Sequence, residues 1–323
     1  MATRTLDSPP SILPLYARAA APLIPGASLL PFVPGRGKEV PEIELELTGV
    51  RAEPEAVAAY AKVCGFPLRN HLPPTYPHVL AFPLQMAVMA DGGFPFGAVG
   101  LVHVENRIVQ RRPIGLGEEL TLRVRPTALQ PHPRGRTFTL VSEASTGGER
   151  VWEGVSTMLR RGGGANTGPS TEPKRVPEAY QPKRVSVRGS GSEQGERELM
   201  PSAEWRLGGD LGRRYAAVSD DRNPIHMHSL TAKALGFPRA IAHGMWTKAR
   251  CLAALESRLP DAFRVDVRFR KPILLPGRVA FASRDRDEEI EFAVREAKRQ
   301  TPHLDGYLQP LEAKTQAGRS NSK

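Results

Sequence analysis

The sequence predicts an α+β protein made twice over from one plan, a buried helix followed by an antiparallel meander. Three observations point there. Each half carries one long apolar helix with four strands after it. Short stretches of the two halves match in the same order. Between them, residues 161–200 carry Gly162-Gly163-Gly164 with Pro, Ser, Lys and Arg and little apolar content, the composition of a linker that cannot offset its own ordering entropy.

The elements follow in order. Ile43, Leu45 and Leu47 alternate with acidic residues over 42–50, a half-buried strand. Pro54 opens a helix that runs from Glu55 to Val63. Residues 83–91 are apolar nearly all round and read as a buried helix. Strands follow at 99–112, 118–125, 137–145 and 150–160, with turns at Gly115-Leu116-Gly117 and Thr146-Gly147-Gly148. In the second half a helix at 243–257 places Met245, Ala249, Leu252 and Ala253 on one face, and strands follow near 263–271, 278–284, 289–297 and 303–311. The expected organisation is an irregular N-terminal arm (1–39), a first unit (40–160), the linker (161–200), a second unit (201–311) and a flexible tail (312–323).

The internal matches support a duplication. Tyr60-Ala61-Lys62-Val63-Cys64-Gly65 pairs with Tyr215-Ala216-Ala217-Val218-Ser219-Asp220, and Arg112-Pro113-Ile114 with Lys271-Pro272-Ile273. Between these, Pro77 to Pro83 pairs with Pro238 to Gly244. One match would be chance; three in order are not. By this alignment the loop after Tyr60 is about six residues shorter than its counterpart, Phe82 stands for His243, and Pro83, which has no N–H, stands for Gly244. The first copy is therefore expected to be structural, walling a substrate cavity.

Composition narrows the function. With 40% hydrophobic and 24% charged residues the chain has material for a real core. Its net charge of +11 comes from scattered residues without a nucleic-acid motif, so nucleic acid is not expected; the excess suits an anionic ligand such as a nucleotide-bearing thioester, or equally a basic solvated surface with no ligand. The best apolar stretch, 16–35, is broken by Arg18 and four prolines, so neither a membrane span nor a signal peptide is expected. Cys64 and Cys251 give no disulfide framework and read as small core residues of a cytoplasmic protein.

The chemistry concentrates in Tyr215 to His226, where Asp221 and His226 flank Asn223-Pro224. A short stiff turn presents an acid and a base to one small volume. Seventeen residues beyond His226, His243-Gly244-Met245 reads as the exposed start of a helix, whose N–H groups suit a developing oxyanion. His226, His228 and His243 lack a cluster of further ligands, so no metal is expected. His228 and His303 read as polar surface or loop residues; His71 and His78 are cavity-lining or bland. Lys248, Arg250, Arg268, Arg270 and Lys271 suit either ligand phosphates or solvated faces.

Tyr215 to His226, with Ile241-Ala242-His243-Gly244-Met245 and Lys271-Pro272-Ile273, resembles the MaoC-like (R)-specific enoyl-thioester hydratases. Within that family the chain is similar to the double hot-dog (3R)-hydroxyacyl-thioester dehydratases of actinobacteria. The resemblance implies two antiparallel sheets, each wrapped around a central helix, and reversible syn addition of water to a trans-2-enoyl thioester. CoA or acyl carrier protein is the implied carrier, with no metal or redox cofactor.

Under this reading Asp221 and His226 hold the water and exchange protons, Asn223 orients them, and the N–H of Gly244 meets the thioester oxygen. Ser219, His243 and Met245 are expected at the substrate. One departure stands out: Asp220 occupies a position where the family usually has glycine, and its charge is expected to raise the pKa of Asp221. The rival readings are a hot-dog acyl-thioesterase and a non-catalytic acyl-thioester-binding module. The fused pair is expected to be a monomer or to form a homodimer.

Overall fold

The computed structural model describes residues 2–21, 33–35, 37–162 and 199–311. The linker expected at 161–200 and the tail at 312–323 lie almost wholly outside these residues. The N-terminal arm is less irregular than expected. Strand β1 (Ala2–Leu6) pairs in parallel with β2 (Ile43–Val50), and helix α1 (Ile12–Ala20) buries Leu15 and Ala19. Its apolar positions have a face to cover, the side of the first-half core.

Helix α2 (Pro54–Cys64) starts on its proline and stops at Gly65, which is left-handed at φ 83° and returns its N–H to Ala61 O. The buried helix α3 spans Tyr76–Met89, beginning seven residues before the expected start. Pro83 sits inside it. An interior proline costs a helix about 3 kcal/mol. Ten of the helix's residues are buried, Leu84 and Val88 among them, and that packing outweighs the lost bond.

The first-half strands are β3 (Val102–Gln110), β4 (Leu120–Pro126), the short β5 (Gln130–His132), β6 (Gly135–Thr146) and β7 (Glu149–Arg161). The second half opens on β8 (Pro201–Leu207), which periodicity did not reveal, and continues with α4 (Leu211–Ser219), α5 (Pro224–Met227) and α6 (Ser229–Ala234). Then come α7 (Gly244–Ala254), β9 (Phe263–Phe269), β10 (Gly277–Arg286), β11 (Glu289–Glu296) and β12 (Pro302–Pro310).

Strand order reveals the duplication. The first half runs β2-β4-β6-β7-β3 and the second runs β8-β10-β11-β12-β9, the same permutation of five strands. The halves meet edge to edge where β3 pairs antiparallel with β9, Asn106 opposite Val267 and Ile108 opposite Val265, giving one continuous sheet. Arg107–Asp266 (2.8 Å) and Arg268–Glu105 (2.9 Å) pair across this seam. One apolar core spans both halves, with Tyr60, Phe138 and Trp152 from the first and Tyr215, Phe263 and Phe292 from the second.

Two expectations are corrected here. Lys248 meets no ligand phosphate: it is fully buried behind the seam, its Nζ donating to Asn106 O and Val265 O, both at 3.2 Å. Burial drives its pKa well below the ordinary lysine value. The internal alignment also shifts. Isolated bridges pair His71 with Gly115 and Ile241 with Leu274, while Leu72 N–H donates to Ile114 O as Ala242 N–H does to Ile273 O. Leu72 therefore matches Ala242, and Pro73-Pro74, not Phe82-Pro83, stand where His243-Gly244 stand in the second half. The missing N–H survives the correction, because Pro74 has none either. The loop difference is larger than expected: residues 65–71 do in the first half what residues 220–241, with α5 and α6, do in the second.

Candidate active site

The site grows from the end of α4. Ser219 closes that helix, its Oγ donating to Tyr215 O (2.8 Å) and accepting from Asp221 N–H (3.3 Å). Asp220 takes the left-handed C-cap at φ 57°, the place Gly65 fills in the first half. That turn throws Asp221 inward and Asp220 outward. Asn223 caps α5 by accepting from Ile225 N–H (3.4 Å), and Pro224 starts the short helix that swings His226 back toward Asp221.

His226 is buried, and its Nδ1–H donates to Ile241 O at 2.8 Å, which leaves Nε2 with the lone pair. Burial above all, then neighbouring His243, pushes its pKa down to about 3, so it is neutral at physiological pH. Burial pushes Asp221 the other way. The charge its two imidazole neighbours take up when the medium is acid enough to protonate them, with the Asn223 N–H (3.2 Å to Oδ1) and the Tyr16 hydroxyl (3.1 Å to Oδ1), outweighs that effect and holds the carboxyl below its ordinary value. Asp220 does not raise it: its side chain faces solvent, 3.8 Å from Arg222. The resting pair is thus a carboxylate and a neutral imidazole, two proton acceptors side by side.

His243 sits behind this pair. Its ring stacks on His226 with centroids 3.7 Å apart and interplanar angle 27°, and its Nε2–H donates to Asp221 O at 2.9 Å. Asp221, His226 and His243 place one ligand atom each within 4.8 Å of one another, a closer grouping than the sequence suggested. Two nearly parallel stacked rings direct their in-plane lone pairs alongside each other instead of onto one point, which suits proton exchange better than tetrahedral metal binding.

The pair opens on a cavity of about 130 Å³ lined by Asp221, Asn223, His226, Gly244, Met245 and residues of both halves. Gly244 is the first residue of α7, so its N–H has no intrahelical acceptor. A Cβ there would sit 3.1 Å from the Phe269 ring, so only glycine lets the main chain approach this wall without displacing it. Ser219 and His243 are not on the lining. They shape the turn and fix the Asp221 backbone from behind.

Comparison with known proteins decides the family. The MaoC like domain matches residues 181–305, the stretch that holds Asp221, Asn223, His226 and Gly244. The 3-hydroxyacyl-thioester dehydratase X of Mycobacterium tuberculosis is 38% identical over 302 residues, 94% of this chain and 99% of that protein. The chain belongs to the MaoC-like dehydratase family. The crystal structure of HtdX from Mycobacterium tuberculosis superposes with a TM-score of 0.70 at 35% identity, covering 83% of this chain and 100% of HtdX. A second Mycobacterium tuberculosis protein, described as a double hot-dog, is similar in fold alone: 15% identity, TM-score 0.50, 86% of this chain and 96% of that one. This MaoC-like dehydratase is a double hot-dog.

Sequence reasoning missed Tyr16 and His103 and misplaced His303, while His78, read as cavity-lining or bland, does line the cavity. Tyr16, from the N-terminal arm, hydrogen-bonds the Asp221 carboxylate, and no local motif announces it. His78 and His103 line the cavity from the first half, held neutral mainly by burial with pKa values of about 4 and about 3. His303 is not a surface residue either; it is buried with Nδ1 2.8 Å from Lys271 O and reaches the cavity. Of the five cations considered for phosphates, Arg250 packs 4.8 Å over Trp205, and Arg268 and Arg270 pair with Glu105 and Asp305. Lys271 lines the cavity and has no ion-pair partner among the described residues.

Asp220 offers a prediction independent of catalysis. A left-handed L-residue carries strain of about 1–2 kcal/mol, less for Asp, against glycine's extra chain entropy of about 0.5–1 kcal/mol. Asp220→Gly is therefore expected to hold activity and to raise the thermal midpoint by about 1–3 °C. A fall in the midpoint in a melting experiment counts against this reading of the turn.

Proposed function

We propose that this chain is a hydro-lyase that interconverts (3R)-3-hydroxyacyl thioesters and trans-2-enoyl thioesters at Asp221 and His226. The observation that carries the proposal is the juxtaposition, on one cavity, of an ionised carboxylate, a neutral imidazole with a free Nε2, and the unpaired N–H at the start of α7. In the dehydration direction one member of the Asp221–His226 pair takes the Cα proton. The electron pair left on Cα is drawn toward the thioester carbonyl, whose oxygen the Gly244 N–H stabilises. The C3–O bond then breaks, and the abstracted proton leaves with the hydroxide as water. The pair ends as it began, and no co-reactant is needed. Syn geometry follows, since one pair on one face handles both groups. Each proton transfer is worth about 10²–10⁴-fold.

The carrier is read from the charge on the cavity lining, which includes Arg134, Arg161, Arg270 and Lys271. Lys271 beside the chain's overall positive charge favours an anionic carrier, CoA or acyl carrier protein. Because the β3–β9 seam already supplies the pairing that single hot dogs obtain from a second subunit, we read the chain as a self-sufficient monomer.

The test follows two signals in one cuvette. Incubation with trans-2-enoyl-CoA is expected to remove the conjugated-thioester absorbance without releasing free thiol, and chiral analysis should return the (R)-alcohol. Thiol release would make the protein a thioesterase; no change in either signal would leave only a binding module; an (S) product would contradict the family's stereochemistry.

A further inference from the structure

The arm that precedes the first half reaches the reaction centre of the second. Tyr16, on α1, lies 205 positions from Asp221, and its hydroxyl makes two hydrogen bonds there. Arg222 N–H donates to the Tyr16 oxygen at 2.7 Å. A main-chain N–H can only donate, so that contact occupies a lone pair of the phenol. The phenolic proton is then directed at Asp221 Oδ1, 3.1 Å away. Asn223 N–H, at 3.2 Å, reaches the same oxygen. Oδ1 therefore receives two donors, the Tyr16 hydroxyl from outside the cavity lining and the main-chain N–H of Asn223. Oδ2, 3.9 Å from His243 Nε2, receives no protein hydrogen bond among the described residues.

Tyr16 is itself held in place. On the same helix Leu15 and Ala19 are buried in the first-half core, and β1, just before it, is clamped to β2. Tyr16 does not line the cavity, so it has no route to substrate.

We propose that Tyr16 is a positioning residue for the dehydratase reaction: with the Asn223 N–H it ties down Oδ1 of Asp221, so that Oδ2 alone is presented to the reacting proton. The N-terminal arm thereby becomes part of the catalytic apparatus. This rests on the assignment of Asp221 as a proton carrier. It goes beyond that assignment by dividing the carboxylate into a fixed oxygen and a working one, and by naming the group that does the fixing. A donor to a carboxylate favours its charged form, so Tyr16 also keeps Asp221 ready to accept a proton as the medium is acidified.

The experiment compares the full-length parent with Tyr16→Phe, which keeps the ring and loses only the hydroxyl. With trans-2-enoyl-CoA as substrate, kcat is expected to fall about 5–30-fold with KM within about twofold, the loss of one hydrogen bond to a charged group. The acidic limb of the kcat profile is expected to move to higher pH, because an Asp221 stripped of a donor protonates more readily. A role confined to anchoring the arm would lower the melting temperature and leave that limb where it was, and this outcome overturns the proposal.

A second comparison guards against a general loss of structure. In an Asp221→Asn background, where no carboxylate remains to be held, adding Tyr16→Phe is expected to cost less than about twofold more. Losses that multiply independently overturn the proposal. If the parent itself hydrates no enoyl-CoA, the dehydratase reading falls first; if the parent is active and Tyr16→Phe matches it at every pH, only the role of Tyr16 falls.

Discussion

Asp221→Asn is expected to hydrate trans-2-enoyl-CoA about 10³-fold more slowly than the parent, with little change in KM. The amide has the volume of the carboxylate, and its oxygen still accepts from Tyr16 and the Asn223 N–H, so the turn at the end of α4 persists. What disappears is the capacity to take a proton. The measurement is initial-rate kinetics, with thermal unfolding as the control for structure. A variant within tenfold of the parent would mean that Asp221 holds the loop and does no chemistry.

His226→Gln is expected to lose about 10²–10³-fold in kcat. Glutamine is chosen because its side-chain amide can still donate to Ile241 O, which His226 Nδ1–H serves at 2.8 Å, so a buried carbonyl is not orphaned. The imidazole is neutral and its Nε2 is a free base, so the variant removes an acceptor and not a positive charge. Because the two side chains act as a unit, the Asp221→Asn, His226→Gln double variant is expected to be only slightly slower than the worse single one. Full multiplication of the two losses would show that they work on separate steps.

Much of this centre was legible because it is local. Asp221, Asn223 and His226 fall within six residues, and the stiffness of Asn-Pro already dictates that the acid and base share one turn. The strands were legible for the same reason: alternation marks β2, and short apolar runs between turn residues mark β6, β7 and β10 to β12 whatever they pack against. Long-range contributors were not. Tyr16 is one tyrosine in a proline-broken arm, and only the tertiary course of α1 brings it to Asp221. His78 could be read as cavity-lining or bland and His103 carried no signal at all, because the significance of both lies in facing a cavity lined on its other side by Asp221, His226, Gly244 and Phe269 to Ile273.

Two misreadings fall on the same stretch. All-round apolarity marks 83–91 but not the first turns of α3, which begin at Tyr76 with Pro77, and side-chain likeness alone sets Pro77–Pro83 against Pro238–Gly244. The bridges at His71 and Ile241 fix the register that side-chain likeness obscured. Lys248 was misplaced because charge is a good guide to exposure until three carbonyl-type oxygens await it, as they do behind the seam.

The antiparallel join of β3 to β9 carries an evolutionary consequence. When two identical subunits associate, every change in the gene appears at both reaction centres, so neither can drift without the other. Fusing them in one polypeptide removes that symmetry. Pro73-Pro74 stand in one copy where His243-Gly244 stand in the other, so a main-chain N–H is given up on one side only, and the first copy supplies cavity wall to its twin. That asymmetry is what a duplicated chain can acquire and a symmetric pair of subunits cannot.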